Sequence, residues 1–211
     1  MGNEIGKSNA RLGICAIAHT TTNIEKAELS ELAKKMSELV QSNINSAATA
    51  TAIDPAALIT KLQLEQSLKS ITKFNESDTE LFTNLFTMFD NSGEGVINYR
   101  EFMAGIAGCL ITGSLNDKLV FALQIYYPEG QVVEVSRGDT KKVLNSLNNV
   151  ASFFGDPVVS PDMIDTLVLE LFSKTKSTNG SAPLEEWVKF VEEHSLTEVF
   201  VSGKGNVRFG R

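Results

Sequence analysis

The sequence predicts an all-α fold of four helix-loop-helix units, the loop of the first pairing with the loop of the second. Three observations carry that expectation. Residues 90–101 read DNSGEGVINYRE, a turn dense in oxygen donors, set between Phe89 and Phe102. Apolar residues recur at three- and four-residue spacing through most of the 211 residues, and only five prolines interrupt them. Weaker stretches of the same loop type stand about one repeat before the Asp90 loop, one after it and two after it.

Composition bounds the function. With 42% hydrophobic residues the chain can bury a sizeable core, in one domain or two coupled lobes. A net charge of −7 argues against nucleic acid and favours a basic partner. No apolar run reaches the length of about 18 residues that a membrane span needs. Cys15 and Cys109 have no CxxC spacing, which suits a reducing compartment and argues against zinc. No secretory signal is expected, since the start is not an apolar block behind a basic one. The expectation is a soluble, cytoplasmic protein.

The chain opens MGNEIGKSNARLG. Gly2 after the initiator Met reads as an N-myristoylation start, although Gly6 stands where that rule asks for Ser or Thr. One acyl chain binds membranes only marginally, so peripheral association would also draw on Cys15 as a palmitoylation site and on Lys7 and Arg11. The bland reading is a tail with an incidental glycine. Gly6-Lys7-Ser8 is a decoy for a phosphate loop, because the glycine needed five residues earlier would be Met1 and no strand precedes it.

Helical spacing runs from about Ile24 to Val40 through Ala27, Leu29, Leu32 and Met36. The alanine- and threonine-rich stretch that follows reads as a silent first loop from Ser46 to Ala57, with Ile53 as its packed eighth residue and no carboxylate at either end. A low-complexity linker is the competing reading. Ser77-Asp78-Thr79-Glu80 reads as a capping box opening the next helix, along which Leu81, Phe82, Leu85, Met88 and Phe89 recur.

As a calcium loop, the second unit places Asp90, Ser92 and Glu94 at positions one, three and five. Gly95 falls at the sharp turn, and Val96 offers its carbonyl. Ile97 packs inward, Asn98 binds directly or through water, and Glu101 closes the site with two oxygens. Calcium is a hard cation taking six to eight oxygens, and this loop has one at each required position. An acidic turn that never holds an ion is the plain alternative. Asn98 and Glu101 also read as a box opening the exit helix, with Phe102, Ile106 and Leu110 on one face.

Beyond a turn at Gly113, Ser114 and Asp117 cap a helix that ends at Tyr127, the start of a third loop. That loop is one residue long by the template and lacks the first Asp and the glycine. Val132, Val133 and Val135 survive as a β-type stretch, and Ser136 with Asp139 caps the helix after it. Pro161 sits at the first position of the next helix, with Met163, Ile164, Leu167, Leu171 and Phe172 along one side. The fourth loop offers Thr175, Ser177, Asn179, Ser181 and Glu186 as a weak second metal site. Lys174 and Lys176 oppose it, and Ala182 weakens its packed position. A final helix, LEEWVKFVEEHS, leads into a mixed apolar and basic tail.

FDNSGEGVINYREF, the GSLNDKLVFALQIY helix and NGSAPLEEW, behind an MGN start, resemble the EF-hand superfamily, within the group of neuronal calcium sensors, calcineurin B and calaxin. The resemblance covers roughly residues 27 to 200 and implies two lobes, each a pair of helix-loop-helix units with a short β-bridge between their loops. It implies a tail over 1–26 and an N-terminal lobe over 27–112 whose second unit holds Ca2+. It implies a degenerate C-terminal lobe over 113–200 and a tail over 201–211. It further implies a regulatory calcium-binding protein without catalysis, docking an amphipathic partner helix with basic flanks in an apolar groove. The alternative is a constitutive adaptor of the axonemal or cytoskeletal kind, in a cilium or on the cytoskeleton, binding whatever the calcium level. His19 and His194 lie near no catalytic set, and no small-molecule substrate is expected.

Overall fold

Apolar spacing at the helical period becomes eight helices and four three-residue strands among the residues that the computed structural model describes, 24–44, 57–111, 114–127, 132–153, 158–175 and 180–194. In chain order these are α1 (Lys26–Ile44), β1 (Leu58–Thr60), α2 (Lys61–Lys69), α3 (Glu76–Phe89), β2 (Val96–Asn98) and α4 (Tyr99–Leu110). Then come α5 (Leu115–Tyr126), β3 (Glu134–Ser136), α6 (Arg137–Phe153), α7 (Pro161–Lys174), β4 (Ser181–Pro183) and α8 (Leu184–Glu193). None of the described helices is long and apolar enough to cross a membrane.

The strands pair antiparallel in two separate ladders, β1 with β2 and β3 with β4. The first sets Ile59 opposite Ile97, and the second sets Val135 opposite Ala182. This moves the register of the first unit. The residue paired with Ile97 is Ile59, not Ile53, so the loop's packed position lies six residues later than the sequence suggested. Ile53 and Ser46 lie outside the described residues, as do Gly2, Cys15, Gly113 and the C-terminal tail. The ladder wants a β-branched residue on its buried face, and Ile59 fills it with no exposed surface.

Caps set the helix starts. Asn75, not Ser77, opens α3: its side chain accepts from the Asp78 N–H at 2.9 Å, and Asp78 accepts from the Asn75 N–H at 3.1 Å. The box therefore sits two residues earlier than predicted. Thr60 and Gln63 form another at the start of α2. Ser114 with Asp117 caps α5 and Pro161 opens α7, as predicted, with Ser160 as the cap ahead of it. Each such cap satisfies helix N–H groups that lack partners within the helix, worth about 1 kcal/mol.

Two hydrophobic clusters form the core. The first gathers α1 to α4 around Phe82, Phe102, Met103 and Ile106. Its rings meet edge to face, Phe74 with Phe82, Phe82 with Phe102 and Phe102 with Phe89, at 5.3, 6.3 and 5.2 Å between centroids. That geometry aligns each ring's positive edge with its neighbour's negative face. The second cluster gathers α5 to α8 around Leu144, Leu167, Leu171 and Trp187. Met163, expected on the inner side of α7, is 45% exposed. The clusters exchange residues. Phe121, Ile125, Val150 and Ala151 from the later helices belong to the first, and Ala104 of α4 belongs to the second.

Candidate calcium site

Helix α3 ends at Phe89, and Asp90 takes its C-cap position, donating its N–H to the Phe86 carbonyl at 3.0 Å. The Asp90 carboxylate then organises the loop. Its Oδ1 accepts from the Glu94 N–H at 3.1 Å and the Ser92 hydroxyl at 3.3 Å, while Oδ2 accepts from the Gly95 N–H at 2.9 Å. Gly93 and Gly95 both have positive φ, 71° and 74°. No atom lies within 4 Å of where their Cβ atoms would be, so backbone conformation and not space demands glycine there. Gly95 was legible from the loop pattern; Gly93 was not singled out.

At the far end, Asn98 caps α4, accepting from the Arg100 and Glu101 N–H groups at 3.0 and 3.3 Å. The predicted reciprocal box with Glu101 does not form. Glu101 is half-buried on the first turn of α4, and desolvation holds its pKa above the ordinary carboxylate value, with nearby Lys142 partly opposing that. Val96 and Asn98 lie on β2 beside it.

The donor set suits a hard cation: carboxylates at Asp90, Glu94 and Glu101, a hydroxyl at Ser92, an amide at Asn98 and a carbonyl at Val96. A half-buried carboxylate disfavoured in its charged form is what a divalent cation would compensate. Among the described residues no three His, Cys, Asp or Glu side chains already converge on a metal position. The loop is thus wound around Asp90, with Glu101 half-buried on the first turn of α4.

In the third loop the corresponding positions are joined by the protein itself. Tyr127, the C-cap residue of α5, donates its phenol to Asp139 Oδ2 at 2.5 Å. Ser136 donates to the same oxygen at 2.6 Å, and Lys142 Nζ lies 3.7 Å from Oδ1. Val135 lies eight residues after Tyr127, whereas Ile97 lies seven after Asp90, so the loop is one residue longer, as predicted.

In the fourth loop Thr175 caps α7 and Gly180 turns with φ 80°. The Thr175 hydroxyl is buried without a hydrogen-bond partner among the described residues. Ser181 and Glu186 are half-buried on β4 and α8, and Pro183 at the ninth position offers no side-chain oxygen. Lys174 turns to Glu170 at 3.2 Å and over the Phe190 ring. Ser177 and Asn179 lie outside the described residues. Ala182 is fully buried against Val135, so the small side chain packs.

No family model matches the sequence. The chain is 24% identical over 135 residues to a guanylyl cyclase inhibitory protein of Lithobates pipiens, covering 64% of each. It is 26% identical over 118 residues to a calcineurin B of Naegleria gruberi, covering 55% of this chain and 62% of that protein. Over 100 residues it is 25% identical to calcium-binding protein NCSA of Dictyostelium discoideum, covering 47% and 51%. The chain thus aligns with between about half and two thirds of the length of these relatives. The EF-hand resemblance drawn from the loop sequences holds in the comparisons, and the paired, β-bridged helix-loop-helix units are the fold it implies.

Proposed function

We propose that this EF-hand-type chain is a calcium-binding regulatory protein whose working loop is Asp90 to Glu101. The observation that carries the reading is the division of labour in that loop. Asp90 already gathers the turn's N–H groups, while Glu101 stays desolvated and disfavoured in its charged form. Calcium would supply the compensating charge, held by Asp90, Ser92, Glu94, Val96, Asn98 and Glu101. The relatives' names support the same reading, since one is called a calcium-binding protein and another an inhibitory protein of guanylyl cyclase. The fourth loop contributes at most a weak site at Thr175, Ser181 and Glu186, with Ser177 and Asn179.

A protein partner presenting an amphipathic helix with basic flanks suits the net charge of −7. The apolar residues beside the loop, Phe82, Phe102, Met103 and Ile106, are buried core. Docking on that face therefore requires α4 to move away. A cytoplasmic location, with peripheral membrane association through acylation at Gly2, completes the reading.

Calorimetric titration with calcium, run beside Glu101→Gln, tests it. One site of micromolar order, lost in the variant, is the expected result. Absence of binding heat together with an unchanged melting temperature would sink it.

A second reading has its own observation. The Tyr127–Asp139 closure shapes the third loop without an ion, as a constitutive adaptor needs. Partner binding unchanged between calcium and chelator, and unchanged by Glu101→Gln, would favour that adaptor.

A further inference from the structure

Glu101, the last residue of the Asp90 loop, stands on a helix packed tightly against α6. Glu101, Gly105 and Gly108 recur at the spacing that places them along one face of α4. A Cβ at Gly105 would come within 2.8 Å of the Ser146 carbonyl oxygen and 2.9 Å of Val150 Cγ2, both on α6, and 2.9 Å of the Phe89 ring. One at Gly108 would overlap the Leu147 side chain, again on α6. Lys118 of α5 donates to the Gly108 carbonyl, fixing the far end of α4. The exchange of Ala104 for Val150 and Ala151 between the two core clusters crosses the same seam.

The other end of α6 reaches the fourth unit. Thr140, fully buried in the first turn of α6, accepts a hydrogen bond from Trp187 Nε1 at 2.9 Å. Trp187 is the single tryptophan of the chain and is itself fully buried on α8. Lys142, one turn beyond Asp139, lies 3.7 Å from it and 5.9 Å from the centre of the Tyr126 ring. The Glu101 carboxylate feels the charge of this same lysine.

Close-packed interfaces respond to a displacement by shifting as units, because interiors have little free volume to absorb it. We infer that the glycine seam between α4 and α6 couples the Asp90 loop to the second lobe, so that calcium loading of the Asp90 loop is reported at Trp187. Drawing Glu101 toward Asp90 moves the first turn of α4, the seam carries that movement to α6, and Thr140 passes it to the indole. This inference rests on the calcium-binding reading of the Asp90 loop.

The test uses the full chain and follows Trp187 emission and calorimetric heat in the same calcium titration. The expected result is an emission shift whose midpoint matches the heat, with both lost in Glu101→Gln. Gly108→Ala is the seam variant, since its added methyl meets the end of a leucine side chain and not backbone. It should keep the calcium heat and lose most of the emission shift. Calcium heat without any change at Trp187 overturns the coupling and leaves the binding reading intact. An emission shift that survives in Glu101→Gln traces the signal to the fourth loop and overturns it too. A full emission response in a folded Gly108→Ala protein, judged by an unchanged circular dichroism spectrum, does the same. Absence of calcium heat in the wild type overturns both.

Discussion

The phenol of Tyr127 and the carboxylate of Asp139, twelve residues apart, close the third loop at 2.5 Å across the positions where the second loop presents Asp90 and Glu101. Ser136 donates to the same oxygen, and Lys142 pairs with the other across 3.7 Å. A carboxylate that an ion would neutralise is instead satisfied from within the chain, which lets this loop keep its shape without metal.

Tyr127→Phe should therefore destabilise the protein by about 1–2 kcal/mol, the usual cost of leaving a charged acceptor short of one donor. Thermal denaturation should show the same loss in calcium and in chelator. A loss restored by calcium would mean that the third loop binds the ion once its lock is removed.

Thr140→Val keeps the shape of the side chain but removes the acceptor of the Trp187 indole N–H. Because both residues are fully buried, the orphaned donor should cost about 1–3 kcal/mol. Chemical denaturation followed by Trp187 emission would measure it, and a neutral result would show that water reaches the indole.

The Glu101 pKa is raised in the folded state, chiefly by desolvation. The folded state then binds the proton more tightly than the unfolded chain. Its contribution to stability is full below the unfolded value and disappears as pH rises through the folded value. Glu101→Gln should accordingly make the calcium-free protein more stable than the wild type near neutral pH, with the gap closing on acidification. In saturating calcium the order should reverse, because only the wild type gains from binding. Melting temperatures across about pH 4–7, with and without chelator, give both signs.

Lys142 places a positive charge where the Glu101 carboxylate feels it. Lys142→Met should strengthen calcium binding about two- to fivefold, the effect of removing one partly screened like charge near the cation. The gain should shrink at high salt. An unchanged affinity in calorimetry at low salt would separate Lys142 from the site.

What the sequence disclosed was local. The Asp90 loop could be read because its donors, glycine and flanking phenylalanines repeat a short pattern, and the helices because their buried faces keep one period. The first loop was misregistered because its alanines and threonines give no glycine at a turn and no carboxylate at either end to check a count made from Ile53. The α3 cap was misplaced because Asn75 and Ser77 both precede an acidic residue three positions on, and only the folded chain chooses between them. The Tyr127–Asp139 closure needs a loop already folded back on itself. The Gly105–Ser146 approach joins residues 41 positions apart in a stretch, MAGIAGC, that reads as an ordinary apolar helix.

The pairing of Ile59 with Ile97 also limits how this site can be cut out and reused. A segment running only from α3 to α4 would carry each proposed oxygen donor yet expose one whole edge of β2 and the buried face of Ile97. Such a graft would invite association through that edge before it held any ion. The smallest portable piece therefore includes β1 as the strand partner of β2. Substitutions in the first unit are tolerated only while β1 goes on backing its neighbour.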